Sequence, residues 1–201
     1  MDYNNFNPLQ IDALREVGNI GAGNSATALS QLLNKKIDMS VPSINVVPFR
    51  DIFSRIGGED LVAGVIVRVL GDTPGNILFV FNKETALGII ESLTGECSDQ
   101  ISEMGNSVLC EIGNIISGSY LNAISKLTNL TIVQSVPAVA TDMLGAILST
   151  TFIESGQYDD YVLDIETEFR QGEHAETLGG HFYYIPMPGS LEKILNTLGV
   201  K

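Results

Sequence analysis

Asp12-Ala-Leu-Arg-Glu16-Val-Gly-Asn19, with Pro42 some way behind it, decides the reading of this chain, because the chain contains the pattern twice. The second copy is Ser107-Val-Leu-Cys-Glu111-Ile-Gly-Asn114, and Pro137 follows it. Positions 12, 16, 19 and 42 thus recur at 107, 111, 114 and 137, a constant offset of 95 residues. The flanks agree too: Asn19-Ile20 matches Asn114-Ile115, and Ser40-Val-Pro-Ser43 matches Ser135-Val-Pro-Ala138. Four matched polar or proline positions at one offset indicate a tandem duplication.

Within each copy the acidic or Ser residue, the Glu and the Asn fall at i, i+4 and i+7. At roughly 100° per residue they lie within about 60° of one another on one helix face. Asn7-Pro8-Leu9-Gln10 supplies an N-cap, a Pro at the first helical position and a Gln at the third. Behind the polar face, Leu14, Gly18, Gly21, Ala22, Ser25 and Leu29 form an apolar-to-small stripe of helical period. The first helix is therefore expected over 8–34, ending before Lys35-Lys36, and the second over 103–128.

Glycines are costly in such a helix, at roughly 0.8–1 kcal/mol each relative to Ala. Gly18 and Gly21 fall on the buried stripe, where a missing side chain allows close approach of another backbone. Gly23 and its counterpart Gly118 lie four residues past Asn19 and Asn114, on the polar face. There they leave a bare patch onto which a partner's surface can descend; the plainer alternative is a packing residue. An exposed Glu and Asn are ordinarily only solvated, but both pairs persisted through a duplication whose other surface positions diverged.

The pattern [Asp/Ser]-x3-Glu-x2-Asn-x22-Pro, complete at Asp12, Glu16, Asn19, Pro42 and again at Ser107, Glu111, Asn114, Pro137, resembles the CheC family of chemotaxis phosphatases. Within the group that also holds CheX and FliY, the two complete motifs are most similar to CheC. The chain shows no stretch for the further domain of a FliY-like protein. The resemblance implies an α+β fold: a pseudo-two-fold internal duplication, with two long motif helices packed on a shared, mainly antiparallel β-sheet. It also implies hydrolysis of the aspartyl phosphate of the response regulator CheY in aid of adaptation, and pairing with the deamidase CheD.

Composition agrees with an ordinary globular protein. Hydrophobic residues make up 44% and charged residues 17% of the 201 positions, enough for one compact domain or two small ones. The formal net charge of −13 argues against nucleic acid and against an anionic membrane, both of which call for basic patches. No apolar run reaches about 18 residues and no signal-like segment opens the chain. Two cysteines, Cys97 and Cys110, suggest a reducing compartment, hence the cytoplasm, with Cys110 expected to be a buried helical thiol.

Beyond the first helix, Ile37, Met39 and Val41 alternate as a strand toward Pro42, and Ile44, Val46 and Val47 continue the apolar run. Pro42 lacks an N–H and belongs at an edge or bulge, where it is expected to turn the chain beneath the helix. A short helix is expected over 51–56. Strands at 61–70 and 76–81, joined by Gly71-Asp-Thr-Pro-Gly75, precede a helix over 83–93. After the second long helix come a strand over 130–136 and an apolar helix over 141–151. A hairpin of 161–169 and 181–186 follows, with a long loop over 171–180, and then a helix over 190–198. Each half reads αβαββα, giving a single domain of two repeats, about 8–95 and 103–199.

Two signals mislead. Gly21-Ala-Gly23-Asn-Ser-Ala26 matches a relaxed dinucleotide fingerprint, but it lies inside a helix with no strand before it. His174 and His181 have no partner at metal-ligand spacing, so no metal or other cofactor is expected on this chain. Nor does the sequence offer a nucleophile.

That absence suits the implied chemistry. In the family's reaction the phosphorylated regulator brings its own Mg²⁺ and lysine, and water attacks in line, so catalysis is mainly positioning and electrostatics. Asn19 and Asn114 would each hold the water through an amide that donates and accepts. Glu16 and Glu111 would pair with the regulator's lysine. Asp12 and Ser107 support that face, unless they are only exposed helix residues. By position in the family, Asp142, Met143 and Leu144 begin a CheD-docking segment that also presents Ile147 and Leu148; alternatively these residues are core. The competing function is a non-catalytic module that sequesters a response regulator or CheD.

Overall fold

A computed structural model of the chain describes residues 6–48, 51, 60–155, 161–171 and 177–200. In chain order the elements are α1 (Pro8–Leu33), β1 (Ile37–Pro48), β2 (Leu61–Gly71), β3 (Gly75–Asn82), α2 (Lys83–Thr94), α3 (Glu103–Thr128), β4 (Ile132–Gln134), β5 (Ala138–Met143), α4 (Leu144–Ser155), β6 (Tyr161–Gln171), β7 (Thr177–Pro186) and α5 (Ser190–Thr197).

Both long helices begin and end for local reasons. At the start of α1, Asn7 Oδ1 accepts from the Gln10 N–H and Gln10 Oε1 accepts from the Asn7 N–H, both at 2.9 Å. This is the expected capping box, with Pro8 at the first helical position. α3 is capped by Ser102, whose Oγ accepts from the Gly105 N–H at 3.1 Å. The helices close at Asn34 (φ 49°) and Asn129 (φ 53°), left-handed residues at the same 95-residue offset as the motifs. Asn tolerates that conformation better than most non-Gly residues. The stop signal is thus the asparagine, and Lys35-Lys36 lies beyond it.

Seven strands form one sheet in the order β1-β6-β7-β3-β2, with β4 and β5 both paired to the far edge of β2. Every pairing is antiparallel. Exchanging the two halves of the chain leaves the order unchanged, since β1 beside β6 mirrors β4 and β5 beside β2, with β7 and β3 central.

Four sequence expectations need correction. The strand expected over 130–136 is only Ile132–Gln134, and a separate strand, Ala138–Met143, follows it. The helix expected from Thr141 therefore starts at Leu144; Thr141, Asp142 and Met143 pair instead with Ala63, Val62 and Leu61. The open edge of β2 outcompetes the weak helical preference of this stretch. The β6–β7 ladder extends as far as Arg170 opposite Thr177, so Gln171 and residues 177–180, expected as parts of a long loop, belong to strands. Finally, Pro42 does not turn the chain: β1 runs straight through it, with a register irregularity between Ser40 and Ser43. That irregularity on an edge strand is where a residue without an N–H costs least. The helix expected over 51–56 lies outside the described residues apart from Asp51.

Val62–Val67, Ile77–Phe81 and Phe182–Ile185 are continuous rather than alternating apolar runs, as expected of strands covered on both faces. Ile77, Phe79, Phe81, Phe182 and Tyr184 point into a core shared with Leu14, Ala22 and Leu29 of α1 and Leu109, Ile112, Ile116 and Tyr120 of α3. Ala86 and Ile90 of α2 and Leu191, Ile194 and Leu195 of α5 complete that core. On the opposite face Leu78, Val80, Tyr183 and Ile185 pack with Leu144, Ile147 and Leu148 of α4. The two motif helices therefore lie together on one face.

The β6–β7 hairpin carries a pH-sensitive pair. His181 Nδ1 lies 3.4 Å from Asp164 Oδ1, and that contact raises the His181 pKa against the opposing effect of desolvation. A raised folded-state pKa gives stability that is fully present below the unfolded value of about 6.5 and is lost as pH rises through the folded value. Denaturant titrations across this window should show wild type losing stability relative to His181→Gln. Parallel pH profiles for the two proteins would remove the pair from the account.

Candidate functional site

α1 presents Asp12, Glu16, Asn19 and Gly23 to solvent, as the spacing predicts. Asp12 Oδ1 accepts from Arg15 Nη1 at 3.4 Å, an exposed pair that contributes little stability. The side chains of Glu16 and Asn19 have no hydrogen-bond partner among the described residues, so both are available to an incoming molecule. A Cβ placed on Gly23 would meet nothing within 4 Å, so the patch is bare. Gly18, just before Asn19, explains the link to Pro42. Its missing Cβ admits the side chains of Val41 and Ile44, which flank that proline on β1. Gly21 admits the ring of Tyr120 from α3, 2.6 Å from where a Cβ would stand. Both buried glycines thus make room for side chains, not for backbone as the sequence suggested.

The second copy has the same plan and a different surface. Ser107 and Glu111 are exposed, while Asn114, Gly118 and Pro137 are half-buried. Ser107, Cys110, Glu111, Asn114, Gln134 and Pro137 line an open groove of about 640 Å³. Pro137 interrupts the strand here rather than being absorbed by it, and Ser135, Val136 and Pro137 form a rim between β4 and β5. Val136 on that rim is 88% exposed. Asn114 is not free: Gln134 Nε2 donates to its Oδ1 at 2.5 Å and to its main-chain oxygen at 3.3 Å. The Gln134 amide also lies against Gly118, 3.5 Å from where a Cβ would be. The second glycine patch is therefore partly covered.

Cys110 is half-buried, less enclosed than the sequence suggested. Its thiol approaches the Pro137 carbonyl at 3.6 Å, and burial raises its pKa. It is therefore a neutral thiol and a poor nucleophile at neutral pH. Among the described residues no group of three or more His, Cys, Asp or Glu could hold a metal ion, and no helix is long and apolar enough to cross a membrane. Each face offers an amide, a carboxylate and a glycine, groups that can donate and accept hydrogen bonds without themselves attacking a substrate.

The segment at 142–144 divides. Asp142 and Met143 are exposed on the outer strand β5, whereas Leu144 is only 2% exposed, and Ile147 and Leu148 are buried with it. The apolar residues of α4 are core, as the plainer sequence reading held. Sequence reasoning missed Gln134 and the groove role of Cys110. The available signal was the offset itself, which sets Gln134 against Met39 and Cys110 against Arg15.

Comparison with known proteins adds the lineage. The family model described as CheC-like matches residues 9–46 and 94–140, two stretches that include both motif copies. The chain is 38% identical over 203 aligned positions to the CheY-P phosphatase CheC of Bacillus subtilis (strain 168), covering 98% of this chain and 97% of that protein. It is 31% identical over 141 positions to the flagellar motor switch phosphatase FliY of the same strain, covering 69% of this chain and 37% of that protein. Among solved structures, Thermotoga maritima FliY superposes with a TM-score of 0.82 at 22% identity, covering 96% of this chain and 98% of that one. With two motif helices side by side on one antiparallel sheet and a near full-length relative at that identity, the chain belongs to the CheC-like family.

Proposed function

We propose that this chain is a phosphatase that hydrolyses the aspartyl phosphate of CheY, acting from two faces of one domain built of two repeats. The observation that carries the proposal is the pairing on each motif helix of a carboxylate and an amide, three residues apart and beside a glycine, with no activated nucleophile in reach among the described residues. Such a surface suits a substrate that supplies its own electrophilic phosphorus, its own Mg²⁺ and its own lysine. Glu16 and Glu111 engage the lysine by a charge-assisted hydrogen bond, which sets the depth of docking. Asn19 and Asn114 then hold water on the far side of the phosphorus from the aspartyl oxygen. The names of the Bacillus subtilis relatives support this reading, as does the position of both motifs within the stretches matched by the family model. Adding the chain to phosphorylated CheY should speed loss of the phosphoryl group, and removing Mg²⁺ from CheY should abolish the effect. Protection of the phosphoryl group would instead indicate a sequestering module.

Gly23 offers a test that separates packing from docking. Gly23→Ala replaces an exposed mid-helix glycine beside open space, so it should stabilise the fold by about 0.8–1 kcal/mol. The same methyl should raise KM in a chain whose second face is disabled by Asn114→Ala. A stabilised protein with unchanged KM would reduce Gly23 to a helix residue.

CheD docking at the outer strand is part of the proposal, confined to the exposed Asp142 and Met143. Asp142→Lys, at the rim of such an interface, should weaken CheD binding chiefly through slower association. Unchanged affinity in a titration would place the docking surface elsewhere. The two free cysteines, Cys97 and Cys110, support residence in the cytoplasm.

A further inference from the structure

We propose that Gln134 is a positioning residue that fixes the amide orientation of Asn114 and makes the second face unlike the first. The inference rests on the phosphatase reading, and within that reading it names a residue outside the repeated motif. An amide side chain can turn over and exchange its oxygen for its nitrogen, so its orientation must come from partners that cannot turn. The main-chain oxygen of Asn114 is such a partner: it can only accept, and it lies 3.3 Å from Gln134 Nε2. This sets the nitrogen of Gln134 toward Asn114. The same nitrogen then donates to Asn114 Oδ1, which turns Asn114 Nδ2 away from Gln134 and toward the groove. Asn114 thus meets the incoming phosphoryl group and its water with a donor of settled orientation.

Three further observations set this contact apart from incidental packing. Gln134 Oε1 is buried and has no partner among the described residues, a costly state for an acceptor. Met39 stands at the corresponding position of the first copy, and there Asn19 has no partner among the described residues and is free to rotate. Gly118 leaves the space in which the Gln134 amide lies, whereas Gly23 remains open.

The test uses the full chain carrying Asn19→Ala, in which only the second face turns over. Gln134→Glu keeps the shape of the side chain but can only accept, so it should turn Asn114 over and lower kcat about ten-fold or more, with KM within two-fold. Gln134→Met installs the first copy's residue and removes the orphaned acceptor. It should lower kcat several-fold while leaving thermal stability equal or higher. In a ¹⁵N–¹H spectrum the Nε2 protons of Gln134, which donate to Asn114, should exchange slowly with solvent in the parent and faster once Asn114→Ala removes their acceptor. Loss of stability with unchanged kcat would make Gln134 structural and overturn the proposal alone. Absence of turnover in the Asn19→Ala parent, with turnover in Asn114→Ala, would overturn it together with the second face.

Discussion

Asn19→Ala combined with Asn114→Ala should reduce phosphate release from phosphorylated CheY to background, whereas each single variant should keep the activity of the remaining face. Each motif helix carries its own Glu, Asn and Gly, and the Asn114 groove is lined entirely by residues of α3 and the β4–β5 segment, with none from α1. Neither face therefore needs the other to complete it. Removing a positioned donor typically costs about 10²–10³ in rate, so one alanine silences one face. The two residual rates should sum approximately to wild type. Glu16→Ala and Glu111→Ala should act partly through weaker regulator binding and raise KM. If either single Asn variant abolished turnover with circular dichroism unchanged, the independence of the faces would be refuted.

Tyr120→Ala should be among the most destabilising single changes in the molecule. The Tyr120 side chain is fully buried, stacks on Phe182 with ring centroids 4.4 Å apart at 22°, and fills the space left by Gly21. It therefore joins both motif helices to the sheet. Truncating a buried aromatic costs about 3–5 kcal/mol, a large share of the 5–15 kcal/mol typical of a folded domain. Gly21→Ala should destabilise the wild type, because its methyl would collide with the ring, but should partly rescue Tyr120→Ala by filling the cavity. Denaturant unfolding of the four proteins measures that coupling. If the two effects were additive, the ring and the glycine would not be packed as described.

The helices were the most legible part of the sequence, because capping and periodicity are local. Asn7, Pro8 and Gln10 announced α1, and the repeat announced α3. Pro42 also signalled correctly as an edge or bulge residue. β5 was not legible. Residues 138–143 have no strong local preference and become a strand because the far edge of β2 needs partners from distant sequence. The same limit hid the difference between the faces. Glu111 and Asn114 could be read from spacing, but Gln134 matters only because the fold returns it, 20 residues later, to the amide of Asn114. Burial of Leu144, Ile147 and Leu148 likewise depends on which sheet face α4 covers.

The central claim is turnover, and counting phosphate tests it most directly. With the chain at about one-hundredth the concentration of Mg²⁺-loaded, phosphorylated CheY, the account predicts many phosphates released per molecule of chain and a rate proportional to chain concentration. Release that stopped at two or fewer per chain, or a phosphoryl group that survived longer in the chain's presence, would contradict it.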